Sequence, residues 1–275
     1  MKARIAALLM TLAVCISAPV AAQPKQLKPG FNLFSKEQDI QLGREAAKEI
    51  EKQVRLLEHR QINDYVERLG RKLASRPEAD RYPYSFKVVD HKEINAFALP
   101  GGPIYLHTGV ILAAENEAQL AGVLAHEIAH VALRHGTNQV SKAKLVQLPA
   151  MLASWVIGSE SLLSQLGQLG IGLGANSLLL RFSREAERDA DLLGARIMAG
   201  AGYNPIEMAR FFEKLESGKG WRAPQFLSSH PNPGNRRRAV EEDIRYLPPR
   251  EYQSNSPEFA TIQHLVRQIS QGAGR

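Results

Sequence analysis

An α+β fold, mostly helical with one small antiparallel β-sheet, is predicted by three features of the sequence. Apolar residues at helical spacing recur in most of the chain; one region alone, Phe86 to Thr108, reads as strands; and Asn116 to Gly136 is helical by both spacing and end signals. The 275 residues are 44% hydrophobic and 23% charged, enough apolar material for a sizeable core.

Met1 to Ala22 reads as an export signal: Lys2 and Arg4, an apolar run from Ile5 to Ile16, then small residues before a cut after Ala22. That run is too short to cross ~30 Å of hydrocarbon comfortably. The single cysteine, Cys15, falls inside it, so the mature chain carries no thiol. Leu12-Ala13-Val14-Cys15 is a poor lipoprotein signal because Val14 is bulkier than the residue such signals place there. A periplasmic protein is therefore expected, with an outer-membrane lipoprotein as the alternative.

Residues 23–34 form a lead-in arm without periodicity, expected to be mobile. The main domain is placed at 35–247 and a C-terminal helical tail at 248–275. Ser35 with Gln38 makes a capping box ahead of Ile40, Ala47, Ile50 and Val54. A second helix runs from about Asn63 to Ala74, with Tyr65, Val66, Leu69 and Leu73 on one side.

The strand region joins two extended runs through Pro100-Gly101-Gly102, a hairpin signal. Asn116 caps the next helix, and Gly136 is its expected stop. The apolar stretch from Leu145 to Leu180 is broken by Pro149 and several glycines, which favours buried or lid-forming helices over a membrane span. Helices follow from Ser183, from Asn204-Pro205 and from Asn235, with a loop from Ser217 to Gly234 and a last helical piece after Ser256-Pro257.

The net charge of +7 is spread among interleaved acids. Its densest cluster, Arg236 to Arg238, opens a helix and reads as a solvated face, so no nucleic-acid partner is expected.

His126-Glu127-Ile128-Ala129-His130 is an H-E-x-x-H sequence on a helix. Four residues are about one turn, so both imidazoles leave the same face and can share one cation. Zinc suits nitrogen ligands and lowers the pKa of a bound water, and Glu127 beside the pair is the expected base for that water. A catalytic site needs a third protein ligand and one vacant position. The spacing to His135 and Gly136 excludes the metzincin pattern, and His135 falls about a hundred degrees off the ligand face, which makes it an outer partner of the ligands or a solvent-facing residue. Ser183 to Asp191 supplies acids in two facing pairs, Glu187 with Asp191 and Glu185 with Asp189. Spacing does not choose between them.

HEIAH, the S-R-x-x-E-x-x-A-D pattern from Ser183 to Asp191, NAFALPGGPIYLHTG and SSHPNPGNR occur in that order. Together they resemble the metallopeptidase family of HtpX, the CAAX prenyl proteases and the Oma-type proteases, metallopeptidase family 48, and in particular its periplasmic members. The resemblance runs from about Ser35 to Ile244. It implies a gluzincin-type zinc metalloprotease domain in which Glu187 is the third zinc ligand and Asp191 braces a ligand histidine. It further places His230 close to the metal and matches Arg236 to a family arginine.

The expected activity is zinc-dependent endopeptidase cleavage of misfolded or unassembled cell-envelope proteins, with one zinc per chain. Glu127 acts as general base, and His230 or Arg236 stabilises the oxyanion. Asn95, Ala96, Phe97 and Ala98 form a sheet edge on which an extended substrate can pair. Contact with the membrane periphery or with outer-membrane assembly machinery is a further expectation. The contrasting reading is a zinc-stabilised chaperone or assembly factor with little proteolytic activity.

Overall fold

In a computed structural model the described residues are 24–151, 181–218 and 224–272. The expected export signal and Cys15 lie outside them, as does most of the expected lid, residues 152–180.

The fold is built around one helix. Helices α1 (Lys36–Ile50) and α2 (Arg60–Ala74) precede strands β1 (Ser85–Val89), β2 (Ala96–Ala98) and β3 (Pro103–His107). A short α3 (Thr108–Ala113) leads into α4 (Glu117–Ala132), whose residues are buried without exception. A helix buried on every side belongs at the centre of a domain, and its polar residues must then find partners inside it. Around it stand α5 (His135–Met151), α6 (Arg184–Gly200), α7 (Ile206–Glu216), the short α8 (Pro224–Ser229), α9 (Arg236–Ile244) and α10 (Pro257–Gly272).

The caps behave as side-chain chemistry requires. Ser35 and Gln38 close their box on α1, and the Asn116 side chain accepts from the Gln119 N–H at 2.9 Å. Close approach to α4 is bought with glycine. A Cβ on Gly194 of α6 would stand 3.2 Å from the His126 nitrogen, and one on Gly122 of α4 only 2.7 Å from the Met208 Cβ on α7.

Four expectations need correction. The sheet is mixed: β2 and β3 form the expected antiparallel hairpin, but β1 runs parallel to β3 on its other side, in the order β1-β3-β2. The reason is burial, since Ile104, Tyr105, Leu106 and His107 are all buried and the centre suits the strand covered on both faces. Helix α4 stops at Ala132 rather than Gly136 because Arg134 adopts a left-handed backbone, φ 57°, and α5 starts at His135. Arg134 is held there by Asp39 and by the Phe34 carbonyl, each at 2.6 Å.

The arm is tied down too. Arg196 donates to the Lys25 carbonyl at 2.8 Å, and the Ser141 hydroxyl accepts from the Leu33 N–H at 2.9 Å. Finally, the loop expected from Ser217 to Gly234 contains α8.

The C-terminal tail belongs to the main core, in which Phe259, Ile262 and Val266 are buried with residues of α2 and α4. Glu117, at the start of α4, accepts from Tyr65 at 2.9 Å and from Tyr203 at 2.6 Å, and also pairs with Ser256 of the tail. No helix among the described residues is long and apolar enough to cross a membrane. Phe259→Ala should therefore cost about 3–5 kcal/mol of stability, the usual range for emptying a buried aromatic site. Urea unfolding measures it, and an unchanged midpoint would show the tail to be peripheral.

Candidate metal centre

Four ligand-type side chains converge in the core: His126 and His130 from α4, Glu187 from the first turn of α6, and His230 just beyond α8. One donor atom from each lies within 4.8 Å of the others, and all four residues are buried. The Nε2 atoms of His126 and His130 are 3.0 Å apart, and each lies 3.3 Å from a Glu187 oxygen. His230 Nδ1 stands 3.1 Å from Glu187 and 3.3 Å from His126 Nε2.

Spacing had left two acid pairs open, and the fold separates them. Glu185 is exposed, and Asp189 pairs with Lys25 at 2.5 Å. Asp191 sits one turn behind Glu187, 3.1 Å from Nδ1 of His126, and is itself 2.9 Å from Arg236 Nε. Arg236 is buried, 3.7 Å from a Glu187 oxygen and stacked over the Phe212 ring at 4.2 Å. Of the three arginines read as a solvated face, this one turns inward; Arg237 and Arg238 pair with Glu241 and Glu242. The inward turn is favoured by the two carboxylates, which would otherwise be buried without a cation.

Of the two places the spacing left for His135, behind the ligands or facing solvent, the structure shows the first: it stands 2.9 Å from His130, Nδ1 to Nδ1. Phe182, which stacks on the His130 ring at 3.9 Å and 19°, had no clear sequence signal, because it needed the return path of the chain to α6.

Charge and burial pull against each other here. Burial draws the His126 imidazole down, yet Glu187 and Asp191 outweigh it and hold its pKa up at about 10. Glu187 feels burial in the opposite sense, but His230, His126 and His130 keep it well below the carboxylate range. His130 is pushed well below its ordinary value by burial and by His126, while His135 drops to about 4, mainly through burial. Glu127 is raised, again by burial, with His230 and His126 offsetting part.

Glu127 is fully buried, 3.5 Å from His230 Nε2, with no side-chain hydrogen bond to either carboxylate oxygen; Oε2 of Glu187 has ionic neighbours in His126 and Arg236 but no well-formed hydrogen bond. Buried acceptors left without partners are costly. A divalent cation held by His126, His130 and Glu187 would offset the buried carboxylate charge and use the Glu187 lone pair, so the residues present fit a metal of the zinc type.

Strand β2 lies beside this centre. The hydrogen bonds from Leu99 N–H to the Pro103 carbonyl and from His107 N–H to the Asn95 carbonyl aim residues 95 and 99 at β3. Alternation then turns the backbone groups of Ala96 and Ala98 outward, and the Ala98 N–H faces the Glu127 carboxylate. The Phe97 ring stacks on Tyr105 across the pair at 5.0 Å.

A helix bearing H-E-x-x-H, joined by a glutamate from a later helix, defines the gluzincin class of metallopeptidase. The profile of peptidase family M48 matches residues 58–244, and the chain belongs to that family. Among its relatives is the β-barrel assembly-enhancing protease of Escherichia coli strain K12. The two are 29% identical over 250 residues, covering 86% of this chain and 50% of that protein. The mitochondrial metalloendopeptidase OMA1 of Schizosaccharomyces pombe is 31% identical over 180 residues, covering 65% of this chain and 52% of its own. The chain thus spans about half the length of these relatives.

Because His126 of the metal-free chain keeps its proton up to about pH 10, uptake of zinc near neutrality must expel a proton. Affinity should accordingly rise with pH through the neutral range. Calorimetric titration in buffers of different ionisation enthalpy reads this directly, and buffer-independent heats would contradict it.

Proposed function

We propose that this chain is a zinc-dependent endopeptidase, exported to the periplasm by the signal at Met1 to Ala22, that cleaves extended segments of misfolded or unassembled envelope proteins. The observation carrying the reading is the fully buried Glu127, set between His230 of the donor cluster and the Ala98 N–H on the outward edge of β2. A fixed metal site that served only to hold the fold has no use for such a carboxylate, which weighs against the chaperone reading.

His126, His130 and Glu187 would hold the zinc, with Asp191 orienting His126 through its other ring nitrogen. When bound, zinc supplies Lewis acidity, lowering the pKa of a water and polarising a carbonyl. The residues of the chain do the rest. Glu127 receives the proton of the attacking water and returns it to the departing amine; its raised pKa suits it to hold that proton between the two steps.

His230, whose Nε2 lies 3.5 Å from Glu127, would serve as the donor to the negative charge that develops on the cleaved carbonyl. Arg236, engaged with Asp191 and Glu187, is assigned a bracing role behind the ligands. An extended substrate would pair with the outward groups of Ala96 and Ala98, with Asn95 and Phe97 holding the strand to β3. Such pairing reads backbone rather than side chains and so suits unfolded segments. The name of the Escherichia coli relative supports outer-membrane protein assembly as the setting.

Glu127→Gln should bind zinc as the parent does and lose cleavage of an unfolded protein by at least 100-fold, on the order expected for removing general base catalysis. Undiminished cleavage would defeat the mechanism. Glu187→Ala should strip the metal, whereas Glu185→Ala, altering an exposed side chain, should leave metal content unchanged. Metal analysis of the two purified variants decides, and the reverse order would overturn the ligand assignment.

A further inference from the structure

We propose that His135 is a positioning residue for the metal: its Nδ1 accepts the hydrogen bond from the Nδ1–H of His130 and fixes that ring with Nε2 turned to the donor cluster. The inference rests on the reading that the cluster holds zinc.

The geometry leaves one consistent arrangement. His130 Nε2 lies among the donors, 3.0 Å from His126 Nε2 and 3.3 Å from Glu187, and must be bare to bind a cation. Its proton is then on Nδ1, where the partner at 2.9 Å is Nδ1 of His135. Two imidazole nitrogens at that distance make a hydrogen bond only when one donates and the other accepts. His135 is therefore the acceptor, and its own proton sits on Nε2. The rings meet edge-on, with centroids 5.0 Å apart and planes at 71°. Phe182 closes one face of the His130 ring.

His126 has its own outer partner in Asp191, 3.1 Å from its Nδ1. Each ligand histidine is thus oriented separately, one by a carboxylate and one by an imidazole. The backbone explains why an imidazole reaches this place. On an unbroken helix His135 would stand well off the face shared by His126 and His130. The left-handed Arg134 ends α4 and turns the chain, and the bonds from Arg134 to Asp39 and to the Phe34 carbonyl hold that turn.

The test compares the full chain with His135→Ala and His135→Asn. Zinc affinity is read by competition with a chelating fluorophore, and the tautomer of His130 by proton–nitrogen correlation spectra of the imidazoles. His135→Ala should weaken zinc binding about 10- to 100-fold, the usual loss when an outer partner of a ligand histidine is removed. His135→Asn, whose Oδ1 can accept from the same Nδ1–H, should recover most of it. Wild-type His130 should carry its proton on Nδ1, and His135→Ala should lose that preference.

Equal affinity in His135→Ala, no recovery in His135→Asn, or a wild-type His130 protonated on Nε2 would overturn the assignment. Failure of the wild-type chain to take up zinc would instead sink the endopeptidase reading; the tautomer, which needs no metal, still decides the role of His135.

Discussion

The structure depends on a conflict between burial and charge at one place. Helix α4 has no exposed face, yet it carries His126, Glu127 and His130 at its middle, and α6 brings Glu187 and Asp191 against them. Removing a carboxylate from water costs several kcal/mol even after relaxation, and the cost is met only by positive charge placed close by. The guanidinium of Arg236 provides part of it, and the same two carboxylates hold the His126 pKa up, favouring its protonated form. A divalent cation would do so more completely, which is why the geometry reads as a metal centre rather than as a chance meeting of polar groups.

That conflict explains how much of the fold serves to hold α4 still. At its start, Glu117 gathers Tyr65 from α2, Tyr203 from beyond α6 and Ser256 from the tail. At its end, Arg134 is clamped by Asp39 of α1 and by the arm at Phe34. Along its side, Gly122 admits Met208 of α7, and Gly194 lets α6 come close enough for Glu187 and Asp191 to reach the imidazoles. Displacing α6 by a few tenths of an ångström would lengthen two ligand contacts at once. Packing and chemistry are therefore coupled through the same backbone distances.

Much of this was legible in the sequence because it is local. H-E-x-x-H needs one helical turn, the Ser35 and Asn116 caps act within three residues, and Glu187 with Asp191 share a face by spacing alone. What was not legible is tertiary. Glu187 and Glu185 are equivalent as letters, and only the approach of α6 makes one a neighbour of His126 and leaves the other exposed. The end of α4 was misplaced because Gly136 is a strong stop by propensity, whereas Arg134 accepts a left-handed backbone in exchange for two hydrogen bonds from distant parts of the chain. The inward turn of Arg236 likewise follows from carboxylates far away in sequence.

The strand order carries a consequence for the proposed substrate mode. Had β1, β2 and β3 formed an antiparallel meander, β2 would lie in the centre and both its edges would be paired. The crossover that sets β1 parallel to β3 puts the most buried strand in the middle and leaves β2 outermost. The outward Ala98 N–H of that edge then meets the Glu127 carboxylate. An exposed strand edge invites pairing with other chains, and proteins usually blunt it. Here the strand is three residues long, too short to template aggregation readily but sufficient to register a few residues of an extended chain. Burial of β3 and the proposed access for a substrate are one solution: the same arrangement that covers the apolar strand leaves the edge nearest Glu127 without a partner strand.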